Sequence, residues 1–351
     1  MAYSPIDKGS LFFNNVTYTG TGASNAVTGV GFAPDFVWCK DRVQDINSSL
    51  CDTVRAATKT LISNTNDDEQ TYAEGLKSFD ADGFTVGTQG FINTNTNGYI
   101  SYNWKAGTTT GLTGGTITPS SYSINTTSGI GIYKYTGNGT AGATIAHGLG
   151  KAPKLVIIKR LSASYQWAVW GSGVNNTKGL RLDDTAAETT NDFLNNTAPD
   201  ATNVTLGSNT YSNAAAGTSV YVMYAFVEVP GFCKIGKYSG TGMSGAGTNS
   251  SAATVYCGFK PKFVMMKRID STSNWNIYDD KREFNYNTQS KAYRANTSEV
   301  EYTIATGLDL FSNGFRTRTT NTQFNAEGGV YLYLAFGQTM VGSNDVVGTA
   351  R

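Results

Sequence analysis

The chain has 351 residues, with 27 Lys and Arg against 26 Asp and Glu and a formal net charge of +1, so no global charge directs it to nucleic acid or to a membrane surface. Forty Gly, 20 Tyr and 17 Phe against one His, in a background of Thr, Asn and Ser, is the composition of an all-β protein with many turns. No apolar run of about 18 residues occurs, so no membrane insertion is expected, and residues 1–8 lack the basic head and apolar core of a secretory signal.

In chain order, the first strands read at Leu11-Phe12-Phe13 and at Tyr18, ahead of a turn at residues 19–22. Next comes Ala33-Pro34-Asp35-Phe36-Val37-Trp38-Cys39-Lys40-Asp41-Arg42. Proline fixes its start, apolar residues follow without a break and a basic residue closes it, which is the pattern of a strand buried on both faces. The best helix signal of the chain lies at residues 52–62. Strands follow at residues 83–87, behind the turn Asp80-Ala81-Asp82, and at residues 99–104, where Tyr99, Tyr102 and Trp104 mark an aromatic closing strand.

The same succession returns twice. Tyr135-Thr136-Gly137 and Tyr238-Ser239-Gly240 repeat the leading turn, residues 153–160 and 261–268 repeat the buried run, and residues 221–226 and 331–336 repeat the aromatic strand. Pro34 and Pro153 are 119 positions apart, and Pro153 and Pro261 are 108 apart, the period of a whole small domain. The expected organisation is three tandem β-sandwich domains of one repeated fold, lectin or jelly-roll-like, at residues 1–108, 109–230 and 231–351, each large enough to bury its own core. Residues 105–128, rich in Gly, Thr and Ser, predict a flexible tether, whereas residues 227–232 are short and stiffened by Pro230. A rigid pair with one looser neighbour is the expected geometry. Seven basic residues stand against eleven acidic in residues 1–120, and thirteen against nine in residues 229–351. The third domain is therefore the candidate for an acidic partner, although a drift of this size also arises without function.

Candidate sites are few. Cys39, Cys51, Cys233 and Cys257 show no metal-ligand spacing. They are expected buried and reduced, with Cys39–Cys51 or Cys233–Cys257 disulfides as the alternative. His147 has no nucleophile motif beside it, and Asp80 and Asp82 begin like a calcium loop but lack the later Glu, which leaves an Asp-capped turn. Asp52 with Arg55, and Asp279 with Arg282, occupy equivalent places that the second domain leaves without such a pair, and read as local ion pairs. Strand alternation puts Trp167 and Val169 on one side and Ala168 and Trp170 on the other, and it likewise separates Trp275 and Ile277 from Asn276 and Tyr278. With the first side as core, Trp170 and Tyr278 face outward, as candidates for stacking on a receptor sugar or for packing under a loop or a neighbouring subunit. No catalytic residue, metal ligand or cofactor site is expected.

Several motifs together carry a resemblance: Pro5-Ile6-Asp7-Lys8, residues 35–42, Ser78-Phe79-Asp80-Ala81-Asp82-Gly83-Phe84, Asn103-Trp104-Lys105-Ala106-Gly107, His147-Gly148-Leu149-Gly150, residues 230–238 and the ending at residues 340–345. Over nearly its whole length the chain resembles a family of repeated β-domains in virion proteins of tailed bacteriophages, many of them marine. The resemblance implies a non-enzymatic virion component, assembled in the host cytoplasm, in a tail fibre or appendage that serves host adsorption. Its implied partners are other virion proteins, itself as a homotrimer or other symmetric oligomer, and a host-surface glycan. Lacking a heptad or collagen-like shaft, the chain suits capsid decoration or a head fibre as the alternative. A glycan depolymerase ranks third, because it needs two convergent carboxylates about 5–10 Å apart and no acidic pair is singled out.

Overall fold

Each of the three apolar runs forms a strand: Phe36–Asp41, Leu155–Arg160 and Phe259–Arg268. The structure is a computed structural model and describes residues 4–215, 217–244, 252–283 and 288–339, so the motif at residues 340–345 lies outside the described residues. The chain is all-β, and the helical pieces among the described residues are the short Gly9–Leu11, Gly90–Asn93 and Thr322–Asn325.

Around each run the strands assemble in one order. In the first copy the sheet runs Phe13–Thr19, Gly98–Trp104, Phe36–Asp41, Ser49–Asp52, Lys59–Ile62. The second runs Ile130–Thr136, Val220–Phe226, Leu155–Arg160, Ala168–Gly171, Lys178–Arg181, and the third Cys233–Ser239, Val330–Thr339, Phe259–Arg268, Trp275–Asp279, Thr288–Arg294. The antiparallel register also repeats: Phe13, Trp104 and Phe36 align across the first sheet, Ile130, Phe226 and Leu155 across the second, and Cys233, Phe336 and Phe263 across the third. The leading turn is held alike in each copy. Tyr18 stacks on Tyr99 at 5.0 Å, Tyr135 on Tyr221 at 5.3 Å and Tyr238 on Tyr331 at 4.8 Å.

Because successive side chains point to opposite faces, each central strand is packed on both sides, and in the first and third copies the two sides feed different clusters. Phe36 and Trp38 join Leu155, Ile157, Phe263 and Met265 in one apolar cluster drawn from all three copies. Val37 and Cys39 face a separate cluster of the first copy, and Val264 and Met266 face one of the third. Cores are thus shared as well as separate. Burial on both faces is why the runs read as unbroken apolar stretches.

Two local readings change. Residues 52–62 are not helical: a turn with Ala56 and Thr58 at φ of 78° and 68° leads into the Lys59–Ile62 strand. Residues 105–128 do not hang as a tether, since Lys105 N–H donates to Phe12 O, Thr108 pairs with Ile124, and Thr116 N–H donates to Thr144 O.

Candidate functional site: a ring of contacts between the copies

Four residues past Phe36, Leu155 and Phe263 stand Lys40, Lys159 and Lys267, all at most 1 % exposed. An ammonium in such a place requires acceptors, because desolvation without hydrogen bonds is prohibitive. Each lysine finds one in a neighbouring copy. Lys159 Nζ donates to Asn66 O at 2.9 Å, Lys267 Nζ to Thr185 O at 3.2 Å and Lys40 Nζ to Ser298 O at 2.7 Å. These acceptors are equivalent, five residues beyond Leu61, Leu180 and Tyr293, which pair with Leu50, Val169 and Ile277. The second copy therefore binds the first, the third binds the second and the first binds the third. Heterologous contacts of one kind that return to their starting point close a ring. Each lysine also donates within its own copy, to Ile46 O, Tyr165 O and Arg268 O. Burial still holds all three ammonium groups down at about 8.

A second set of bonds follows the same circuit. Trp167 Nε1 donates to Ile62 O at 3.0 Å and Trp275 Nε1 to Arg181 O at 2.7 Å, again equivalent acceptors. Ser48 replaces the tryptophan in the first copy, and there Ser63 Oγ reaches Ala295 O at 2.6 Å instead.

Two of the three joints carry a buried polar triad. Arg55 Nε donates to Asp52 Oδ2 at 2.6 Å, its Nη2 donates to Leu50 O at 2.9 Å, and Tyr224 OH of the second copy donates to Asp52 Oδ2 at 2.7 Å. In the third copy Arg282 Nε lies 2.5 Å from Asp279 Oδ2, which Tyr102 OH of the first copy reaches at 2.7 Å. Both local ion pairs form as expected and do more besides: the Asp52 and Arg55 side chains are 0 % exposed, and a tyrosine of another copy completes each pair. At the remaining joint the equivalents of Asp52, Arg55 and Tyr224 are Gly171, Val174 and Leu334. A Cβ on Gly171 would stand 2.8 Å from the Leu332 side chain, so only glycine admits that approach without a shift.

Trp170 and Tyr278 do not face outward. They are 6 % and 0 % exposed, because the side opposite the shared core faces further apolar packing in the same copy; Tyr278 meets Phe324 edge-on at 5.7 Å. Neither offers a face to a sugar. His147 is also buried: its Nε2 lies 3.0 Å from Asp200 O, its Nδ1 accepts from Leu149 N–H at 3.1 Å, and burial lowers its pKa, so it is held as a neutral ring between backbone groups. All four cysteines are buried and free, with burial pushing Cys51 up to about 11 and Cys257 up to about 12. Asp82 does not cap its own turn: its carboxylate accepts from Gly29 N–H at 3.0 Å and Gly31 N–H at 2.6 Å, more than fifty residues earlier, and so holds that remote loop. Asp80 accepts from the Ser78 and Thr85 hydroxyls. No group of three or more His, Cys, Asp or Glu able to hold a metal occurs among the described residues.

The lysine ring is what the strand pattern alone did not single out. Its signal was a basic residue at the same register of three runs otherwise apolar on both faces.

A family model, described as a domain of unknown function (DUF7483), matches residues 8–339, which takes in all three copies. No curated protein and no solved structure matches the chain.

Proposed function

The chain belongs to the family described as a domain of unknown function (DUF7483), and from its build we propose that it is a structural component of a bacteriophage particle. It comprises three tandem β-sandwich units of one fold, closed on each other, and serves in a tail fibre or appendage at host adsorption. One observation carries the structural half: equivalent buried ammonium groups of the three copies each bind a carbonyl of the next. Groups able to do chemistry, Lys40, Lys159, Lys267, Asp52, Asp279 and His147, are spent on backbone and inter-copy bonds away from solvent. That is the arrangement of a rigid body, which supports the structural reading. The phage half rests on the sequence resemblance.

Virion appendages are symmetric assemblies. A chain whose three joints repeat one lysine bond supplies a pseudo-three-fold set of contacts by itself, so one chain fits a three-fold position where a homotrimer would otherwise stand. Capsid decoration is the second reading, favoured by a closed body with no shaft. A cryo-EM map of the intact particle tests both. Density on the tail is the expected result, density spread over the capsid lattice moves the chain to decoration, and a particle free of the chain overturns the proposal.

A further inference from the structure

The two links between copies differ in length, and the difference leaves a cavity. From the first copy to the second, the long link lies along the Ala143–Ala146 strand, where Gly115 bridges Ile145 and the N–H groups of Thr116 and Ile117 donate to Thr144 O, both at 2.9 Å. Leu112 of that link closes over Gly148. From the second copy to the third the link is a tight turn in which Val229 and Cys233 exchange backbone bonds of 3.1 and 2.9 Å. The corresponding strand there, Thr254–Tyr256, receives no such cover among the described residues. A cavity of about 320 Å³ opens at this place, walled by Lys151, Glu228, Lys234 and Tyr256 over a floor of Cys233 and Cys257.

The walls are chemically specific. Tyr256 is 64 % exposed, the one aromatic among the exposed large apolar side chains of the described residues. The Lys151 ammonium has no partner among the described residues. Glu228 Oε1 holds Lys234 Nζ at 3.0 Å and accepts from Ile235 N–H at 3.2 Å, which fixes the carboxylate and leaves Oε2 as an acceptor. An aromatic face, a free cation and a fixed donor and acceptor side by side match a ring that carries hydroxyls and one negative charge. The volume lies at the lower end of small-ligand pockets, room for roughly one or two sugar rings.

We propose that this cavity binds an acidic sugar of the uronic acid class. The pyranose ring stacks on Tyr256, the sugar carboxylate pairs with Lys151, and ring hydroxyls bond to Glu228 and Lys234. A neutral sugar leaves Lys151 unanswered. The stacking role expected of Trp170 and Tyr278 thus passes to Tyr256, and the site does not depend on where in a particle the chain sits.

The test is calorimetric titration of the whole chain with digalacturonate and with the neutral disaccharide cellobiose. Digalacturonate is expected to bind and cellobiose to bind at least about tenfold more weakly, with Tyr256→Ala and Lys151→Gln each weakening digalacturonate about tenfold or more. Lys260→Gln is the control for general positive charge and is expected to change nothing. No heat from digalacturonate at about 10 mM, equal binding of cellobiose, or binding untouched by both variants would each overturn the site. Such a failure leaves the particle location intact, just as a particle free of the chain leaves the sugar titration standing.

Discussion

All three joints between copies carry the lysine bond, but two add a buried polar triad and the third, the apolar joint, has apolar residues in the triad's places. Where the second copy meets the first, and the first meets the third, a buried Asp, Arg and Tyr share bonds; where the third meets the second, Gly171, Val174 and Leu334 stand in their places. All three members differ together, although the tyrosine or leucine belongs to a different copy from the other two. An unpaired Tyr hydroxyl or Arg at the apolar joint would cost its desolvation, so either a whole triad or none is stable. Within one chain, the copies act as variants of one another.

The largest effect is expected from breaking one triad. Asp52→Ala leaves the buried Arg55 with only the longer contact to Glu69, at 3.4 Å, in place of its close carboxylate, and should cost about 3 kcal/mol, read as a fall in the urea midpoint. Replacing the whole triad by its apolar counterpart, Asp52→Gly with Arg55→Val and Tyr224→Leu, should recover all but about 2 kcal/mol of that loss, since buried ion pairs and apolar substitutes of similar volume are often close in stability. If the triple variant is as unstable as Asp52→Ala, the two kinds of joint are not interchangeable, and the comparison fails.

The lysines set what the joints share against what they do not, and their effect depends on pH. Unfolded lysine titrates near 10.4, whereas Lys267 in the fold titrates at about 8 because burial disfavours its charge. Between those values the folded state holds fewer protons than the unfolded one, so stability rises with pH across this window, and the penalty is full below about 8. One lysine contributes roughly 3 kcal/mol to that rise. Buried cysteines, with Cys51 pushed up to about 11 and Cys257 to about 12, oppose it from about 8.5, where unfolded thiols ionise. Buried tyrosines such as Tyr102 oppose it above about 10, so the lysine's share is read as the difference between variant and unsubstituted chain. Lys267→Met should remove its share of the rise in midpoints measured from pH 7.5 to 10. An unchanged slope would show that the ammonium is not held in the ring as described.

The repeat and its all-β character were legible because burial on both faces leaves unbroken apolar runs, and Pro34, Pro153 and Pro261 mark each start. The ring was not, because strand alternation says which residues share a face and is silent on what covers it. Alternation therefore points Trp170 and Tyr278 toward solvent although both sides of their strands are covered, and sequence spacing shows Asp52 and Arg55 as a local pair without the Tyr224 of another copy that completes it. Comparison within the chain held the missing clue. Losing Asp and Arg from the second copy accompanies Leu334 in place of Tyr102 and Tyr224.

The smallest expected effect separates the two joints that carry a tryptophan. Trp275→Phe keeps most of the ring volume but removes the Nε1 bond and leaves Arg181 O without that donor, which should cost about 1–2 kcal/mol. Trp167→Phe removes the equivalent bond to Ile62 O, and if the ring is one cooperative body the two substitutions should lower a single unfolding transition by similar amounts. The first of these lies at the apolar joint and the second at a polar one. A loss confined to Trp275→Phe would mean that the apolar joint depends on its tryptophan more than the polar joint does; two separate transitions would mean that the copies unfold independently and the ring does not bind them.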